Sequence, residues 1–296
     1  MEEEAQDQQE AIIITERTVS SFAEATMDPT ETPPRNLDEV EDILGYNFKN
    51  KCLLEEAFTH PSYYNTTKDY NHNKEAETKS FSFERLEFLG DAVLNFLVTK
   101  EQFFSYPDFS SGVLTRLRAA NVDTEKLARV AVKHELHCYL RHRKPPLAEQ
   151  IDEFMKEILE YPIHSNGLID VPKCLADLVE SIIGAIFIDS HSNIDIVWQV
   201  IRPLLEPMIN GETLKTHPVT QLYEVLQKHN LKPQFVDSWK DSMAVEVLVD
   251  DQLVGRGICG SKKEIAHNRA ALNALQGIQT ILSAKDNSTS NDNTED

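Results

Sequence analysis

From Leu37 to about Asn210 the apolar residues recur at helical spacing. After the segment NGETLKTHP the period becomes two, with Val245, Val247 and Val249 alternating as a half-buried strand requires. That switch predicts an all-α unit followed by a small α-β-β-β-α unit. In the first, NLDEVEDILGYNF is a short helix with Asn36 as its N-cap, and KNKCLLEEAFTH is a second helix that Pro61 stops. FERLEFLGDAVLNFL, SGVLTRLRAANVDTEKLARVAVKHEL, DVPKCLADLVESIIGAIFIDS and NIDIVWQVIRPLLEPMI supply the remaining helices, and no strand is expected before residue 232. In the second, VTQLYEVLQKHN is helical, PQFVDSW, MAVEVLVDD and QLVGRGICG are strands, and KKEIAHNRAALNALQGIQTIL is a long helix. The expected boundaries are an acidic disordered tail at 1–36, a helical domain at 37–210, a linker at 211–216, the α-β-β-β-α domain at 217–284 and an acidic disordered tail at 285–296.

Within FERLEFLGDAVLNFL, at roughly 100° per residue, Leu86, Leu89, Val93, Phe96 and Leu97 fall on one stripe, which reads as core. Glu84, Glu87 and Asp91 fall within about 60° of one another on the opposite face, with Phe88 about 40° from Glu84. Like charges at this spacing each cost a few tenths of a kcal/mol on an exposed helix, so a cation nearby would relieve them. Phe88 needs a surface other than the core that buries the Leu/Val stripe.

A second acidic helix stands downstream. In LADLVESIIGAI, Asp177 and Glu180 lie at i and i+3, with Ser181 and Gly184 on the same face. A mid-helix glycine costs roughly 1 kcal/mol relative to alanine, which close approach of another element would justify. Two helices offering carboxylates to one point suit a hard divalent cation such as Mg²⁺, and a pair of such ions would serve phosphodiester hydrolysis. The competing reading is solvated faces of ordinary helices.

The net charge of −20 is concentrated at the ends: residues 1 to 45 carry 13 acids and 2 bases, and residues 285 to 296 carry 4 acids and 1 base. The middle is still not basic. No run approaches the 18 or so apolar residues of a membrane span, and the acidic start argues against a secretory signal or transit peptide. Cys52, Cys138, Cys174 and Cys259 are widely spaced without a CxxC pair, which favours free thiols in nucleus and/or cytoplasm.

FERLEFLGDAVL, with LLEEAFTHPSY before it and CLADLVESIIGAI after it, resembles the signature of the ribonuclease III family over about residues 40 to 210. Residues 217 to 284 resemble a double-stranded-RNA-binding domain, and the whole is most like the short plant members with one domain of each kind. The resemblance implies an all-α ribonuclease III endonuclease domain and a Mg²⁺-dependent endoribonuclease, with Mn²⁺ able to substitute. It further implies a homodimer that cleaves both strands of duplex RNA and leaves 5′-phosphate and 3′-hydroxyl ends with a short 3′ overhang. No membrane partner and no small-molecule cofactor are expected. Carried over residue by residue, the metal-binding catalytic carboxylates are Glu87, Asp91, Asp177 and Glu180, with Glu84 supporting and Phe88 entering a pocket of the partner subunit.

Other residues are candidates for RNA contact. Arg116, Arg118, Lys126 and Arg129 form a basic stretch, equally readable as a solvated helix face. RHRKPP at 141–146 reads as a loop or a nuclear-localisation patch, and His60 as a packed structural histidine. In the second domain the lysine cluster expected of the family is incomplete: Lys263 stands at one position, Glu264 at the next and His267 at a third, with Lys262 adjacent. Residues 217 to 284 hold 7 acids against 7 Lys or Arg, so weak, salt-sensitive duplex binding is expected there. Cys259, beside Ser261, Lys262 and Lys263, is a redox candidate weighed against a semi-buried strand cysteine. The rival functions are a non-cleaving duplex-RNA-binding regulator and an all-helical prenyl-diphosphate synthase. The intact carboxylates disfavour the first. The second wants a DDxxD helix, which is absent.

Overall fold

The computed structural model of the protein describes residues 36–63 and 82–291, with side chains to Ile278. The expectations for the acidic stretch up to residue 35 and for residues 292–296 lie outside the described residues, as does the segment 64–81.

The helical unit is built from α1 (Asp38–Leu44), α2 (Lys51–Ala57), α3 (Glu84–Ser105), α4 (Ser111–Val122), α5 (Thr124–Lys133), α6 (Pro146–Glu157), α7 (Lys173–Asp189) and α8 (Ile194–Leu204). The α1 cap differs from expectation by one position: Leu37 is the N-cap, in αR geometry, while Asn36 Oδ1 accepts from the Asp38 N–H at 3.1 Å. The Asn36 side chain thus closes a tight turn around Leu37 and satisfies one orphan donor of the helix. The α2 start is conventional, with Asn50 accepting from the Cys52 N–H at 3.1 Å.

α3 and α7 pack more extensively than any other pair of elements. Cys174, Leu175, Leu178, Val179, Ile182, Ile183 and Ile186 bury α7 almost entirely, at about 1.5 to 3 kcal/mol for each large aliphatic side chain. α3 buries Leu86, Val93, Leu94, Leu97 and Val98. The expected stripe is corrected at two positions, because Leu89 is only half-buried and Phe96 is exposed. The packed face is rotated toward Leu94 and Val98, since α3 meets α7 through glycines. A Cβ on Gly90 would fall inside contact distance of the Glu180 carbonyl, and one on Gly184 inside contact distance of the Leu86 carbonyl. Ser181 Oγ, fully buried, donates to the Ala57 carbonyl at 2.8 Å and ties α7 to α2.

The second unit comprises Ser165–Asp170 and Lys215–Asp296. Its sheet runs β1 (Gln234–Ser238), β2 (Ala244–Val249), β3 (Gln252–Ile258), antiparallel in the order β1-β2-β3. Asp250 and Asp251, at φ 49° and 61°, make the two-residue β2–β3 turn rather than extending the strand, as paired positive φ angles require in a type I′ hairpin. α9 (Pro218–Lys228) precedes the sheet, α10 (Trp239–Ser242) links β1 to β2, and α11 (Lys263–Asn291) follows. Leu222 and Leu226 of α9, Val245, Val247 and Val249 of β2 and Ala266, Ala270 and Ala274 of α11 form the core. Small alanines bring α11 down onto the sheet.

Two boundaries depart from expectation. Ser165–Asp170 groups with the second unit although it precedes α7 in sequence, because Asn268 Nδ2 donates to the Gly167 carbonyl at 2.9 Å and Arg269 Nε to the Leu168 carbonyl at 2.8 Å. The helix α11 also continues through 285–291, where a disordered tail is expected from composition.

Candidate active site

The α3–α7 crossing brings Glu87 of one helix to acids 90 or more positions further along the chain on the other. One carboxylate oxygen from each of Glu87, Asp177 and Glu180 lies within 4.8 Å of the others. Glu87 comes from the first turn of α3 and the other two from successive turns of one face of α7. Asp91, the fourth expected ligand, is on the rim: its Oδ1 accepts from Asn95 Nδ2 at 2.8 Å and it is not part of the tight group. Glu84 is exposed and accepts from Ser82 Oγ at 3.1 Å.

Lys173, one turn before Asp177, bridges the acids. Its Nζ lies 3.0 Å from Glu87 Oε1 and also pairs with Asp177. Burial opposes the ammonium charge, but the two carboxylates outweigh it and hold the lysine above its ordinary pKa. The sequence reading missed this residue, although a Lys-x-x-x-Asp spacing within a helix is a signal for such a pair. Even with Lys173 present the site is short of positive charge. Burial first, then the Asp91, Asp177 and Glu87 charges, push the Glu180 carboxyl up to about 8. Burial likewise raises Asp177, against the pull of Lys173. A compact set of hard oxygen donors already gathered around an ammonium fits a hard divalent cation.

Comparison with known proteins identifies the family. Residues 84–191 match the Ribonuclease III domain and residues 218–278 the double-stranded RNA binding motif. Ribonuclease 3-like protein 3 of Oryza sativa subsp. japonica is 50% identical over 250 residues, covering 84% of this chain and 80% of that protein. The chain belongs to the ribonuclease III family. Ribonuclease 3-like protein 2 of the same organism is 36% identical over 267 residues, covering 85% of this chain and 80% of that protein. A solved nuclease domain of ribonuclease III from Campylobacter jejuni aligns with a TM-score of 0.42 at 30% identity, covering 60% of this chain and 99% of that one. As a ribonuclease III family member the chain is an endoribonuclease with a double-stranded RNA binding motif, and the family generally uses a divalent metal.

The remaining candidates are distributed unevenly. Phe88 is 82% exposed on α3, beside the acids. Arg116 is exposed and Arg118 half-buried. The rest of that basic stretch is not available to a ligand: Lys126 is buried and donates to the Pro207 carbonyl, and Arg129 pairs with Glu125 at 2.7 Å. His60 is half-buried, with Nδ1 2.8 Å from Ser62 Oγ and its ring edge-on to Phe83, as a packed structural histidine should be.

In the second unit Lys263 pairs with Asp237 and Lys262 with Asp170 at 2.7 Å. His267 stacks on Phe235 with ring centroids 3.9 Å apart. Cys259 is buried, its Sγ 3.2 Å from Ser261 Oγ. Burial would raise its pKa, but the Ser261 hydroxyl and the Lys262 and Ser261 N–H groups outweigh burial and lower it. Among the described residues no helix is long and apolar enough to cross a membrane.

Proposed function

We propose that the chain hydrolyses both strands of double-stranded RNA as a Mg²⁺-dependent homodimer, leaving 5′-phosphate and 3′-hydroxyl ends with a short 3′ overhang. The observation that carries this reading is the convergence of Glu87, Asp177 and Glu180 on one point across the α3–α7 crossing. These three would hold the ion, with Asp91 at the rim able to complete the set and Glu84 supporting. A divalent ion held there would supply Lewis-acid activation of water and charge stabilisation for phosphodiester hydrolysis. The chain's contribution is a rigid donor set: each acid sits on a helix whose position is locked by glycine contacts, so little is spent on ordering the ligands. Lys173 pairs with Glu87 and Asp177, and a cation at this point would have to displace it.

The homodimer is supported by one flank of α3, where Phe88, Phe96 and Phe103 are 82%, 52% and 64% exposed. Monomeric proteins rarely leave aromatic clusters of this kind to water. Phe88 would enter the partner subunit. Duplex contact would come from the second unit through Lys262, Lys263 and His267, and from Arg116 and Arg118 on α4. A-form shape and 2′-hydroxyls, rather than sequence, would then direct binding.

The test is cleavage of a long end-labelled duplex RNA with Mg²⁺ by the parent chain, Glu87→Gln and Asp177→Asn. Short duplex products bearing 5′-phosphates, lost in both variants, are expected. Intact RNA with the parent, alongside retained duplex binding, would replace this reading with a non-cleaving regulator.

A further inference from the structure

The basic run Arg141-His142-Arg143-Lys144 does not behave as a free loop. Arg141 forms an isolated parallel bridge with Thr59: its N–H donates to the Phe58 carbonyl at 2.8 Å, and the His60 N–H donates to the Arg141 carbonyl at 3.0 Å. The Arg143 N–H donates to Ser62 Oγ at 3.1 Å. Both guanidiniums lie over the same aromatic ring, that of Arg141 at 4.5 Å and that of Arg143 at 5.3 Å from the Tyr63 ring centroid. Arg141 is neutralised by Glu55. Arg143 and Lys144 are exposed and have no acidic partner among the described residues. Cations gathered on a fixed backbone without counter-charges favour an anion from outside.

The same segment adjoins the carboxylate site. The Phe83 N–H donates to the Thr59 carbonyl at 2.9 Å, and the His60 ring meets Phe83 edge-on, one residue before α3 begins. Burial, then the Lys144 charge, holds the His60 imidazole below its ordinary pKa, and the same charge pulls down the Cys174 thiol that burial and Asp177 raise. A phosphodiester chain drawn toward five acids in this neighbourhood is repelled at long range. A cationic strip alongside offsets that repulsion and fixes the direction of approach.

We propose that Arg143 and Lys144, held by the Thr59–Arg141 bridge and the Tyr63 ring, bind backbone phosphates of the duplex beside the carboxylate site. Guanidinium and ammonium groups with free donors are the chemistry such phosphates take. The proposal rests on the nuclease reading only for the identity of the polyanion.

The test uses the full chain and a labelled duplex RNA in EDTA, read by fluorescence anisotropy over a salt series, with steady-state cleavage in parallel. For the Arg143→Ala/Lys144→Ala double variant, the slope of log affinity against log salt should shrink in magnitude by about 1 to 2, uniformly across RNA sequences. KM should rise while kcat stays near the parent value, and the charge-preserving swap Arg143→Lys/Lys144→Arg should restore most of the affinity. An unchanged slope and KM in the double variant, or a parent without measurable duplex affinity at low salt, overturns the proposal and leaves the strip to a protein partner. A parent that binds but does not cleave, with the slope still reduced in the double variant, defeats the nuclease reading and keeps the strip.

Discussion

Gly90 and Glu180 are in backbone contact: a Cβ on the glycine would overlap the glutamate's carbonyl. That contact explains how Glu87, three residues before Gly90, and the Glu180 side chain come to face a common point. The reciprocal pair, Gly184 against the Leu86 carbonyl, makes the crossing symmetrical and leaves α3 and α7 no room to slide.

Gly184→Ala should therefore be severely destabilising, although alanine is the better helix former. Overpacking against a backbone carbonyl is expected to cost about 3 kcal/mol or more, beyond the gain of roughly 1 kcal/mol in propensity. Urea unfolding measures it. Stability within about 0.5 kcal/mol of the parent would mean the crossing is looser than described.

Lys173 and a bound divalent cation compete for the same carboxylates. Lys173→Met should bind Mg²⁺ about fivefold more tightly than the parent, since removing a partly exposed like charge is worth roughly 1 kcal/mol. Isothermal titration with MgCl₂ reads this directly. Weaker binding in the variant would instead make Lys173 an organiser of the donor set.

Asp189 ends α7 and anchors the α1–α2 connection. It accepts from the Asn50 N–H at 2.8 Å, the Lys49 N–H at 3.0 Å and the Tyr46 hydroxyl at 2.8 Å. Burial opposes the charge, but these donors outweigh it and hold the Asp189 carboxyl below its ordinary pKa. A carboxyl depressed on folding contributes stability that is present above its unfolded pKa of about 3.9 and is lost as pH falls through the lower folded value. Asp189→Asn should cost about 2 kcal/mol at neutral pH and flatten the acid limb of the stability profile. Denaturant midpoints from neutral to acid pH provide the check.

Lys126 carries a linkage of the same sign in an alkaline window. Burial, then the Lys133 charge, lowers its pKa to about 8. The unfolded chain, with a lysine near 10.4, holds this proton more tightly than the folded one, so the parent should gain stability as pH rises from about 8 to 10.4, by up to about 3 kcal/mol. Lys126→Met should lack that gain. Parallel pH profiles of the two proteins, compared by difference, would reject the assignment if they run together.

The carboxylates themselves were legible because a helix writes its faces locally: Glu84, Glu87 and Asp91 share a side by spacing alone, as do Asp177 and Glu180. The same spacing misplaced Leu89 and Phe96, since period identifies a stripe but not how far a neighbour covers it. The type I′ turn at Asp250 and Asp251 and the continuation of α11 past residue 284 were read as strand end and tail, because acidic residues signal turns, caps and tails alike. Lys173 was legible in principle, one turn from Asp177, yet its reach to Glu87 was not.

The sequence by itself determined the order of elements, the helical and alternating periods, and which acids stand on which faces, all properties of residues within a few positions of one another. Only the tertiary structure decided that Glu87 meets Asp177 and Glu180 while Asp91 stays on the rim with Asn95, and that the Arg143 guanidinium lies over the Tyr63 ring. Those outcomes depend on which faces of distant segments pack. At the α3–α7 crossing, that choice turns on the missing side chains of Gly90 and Gly184.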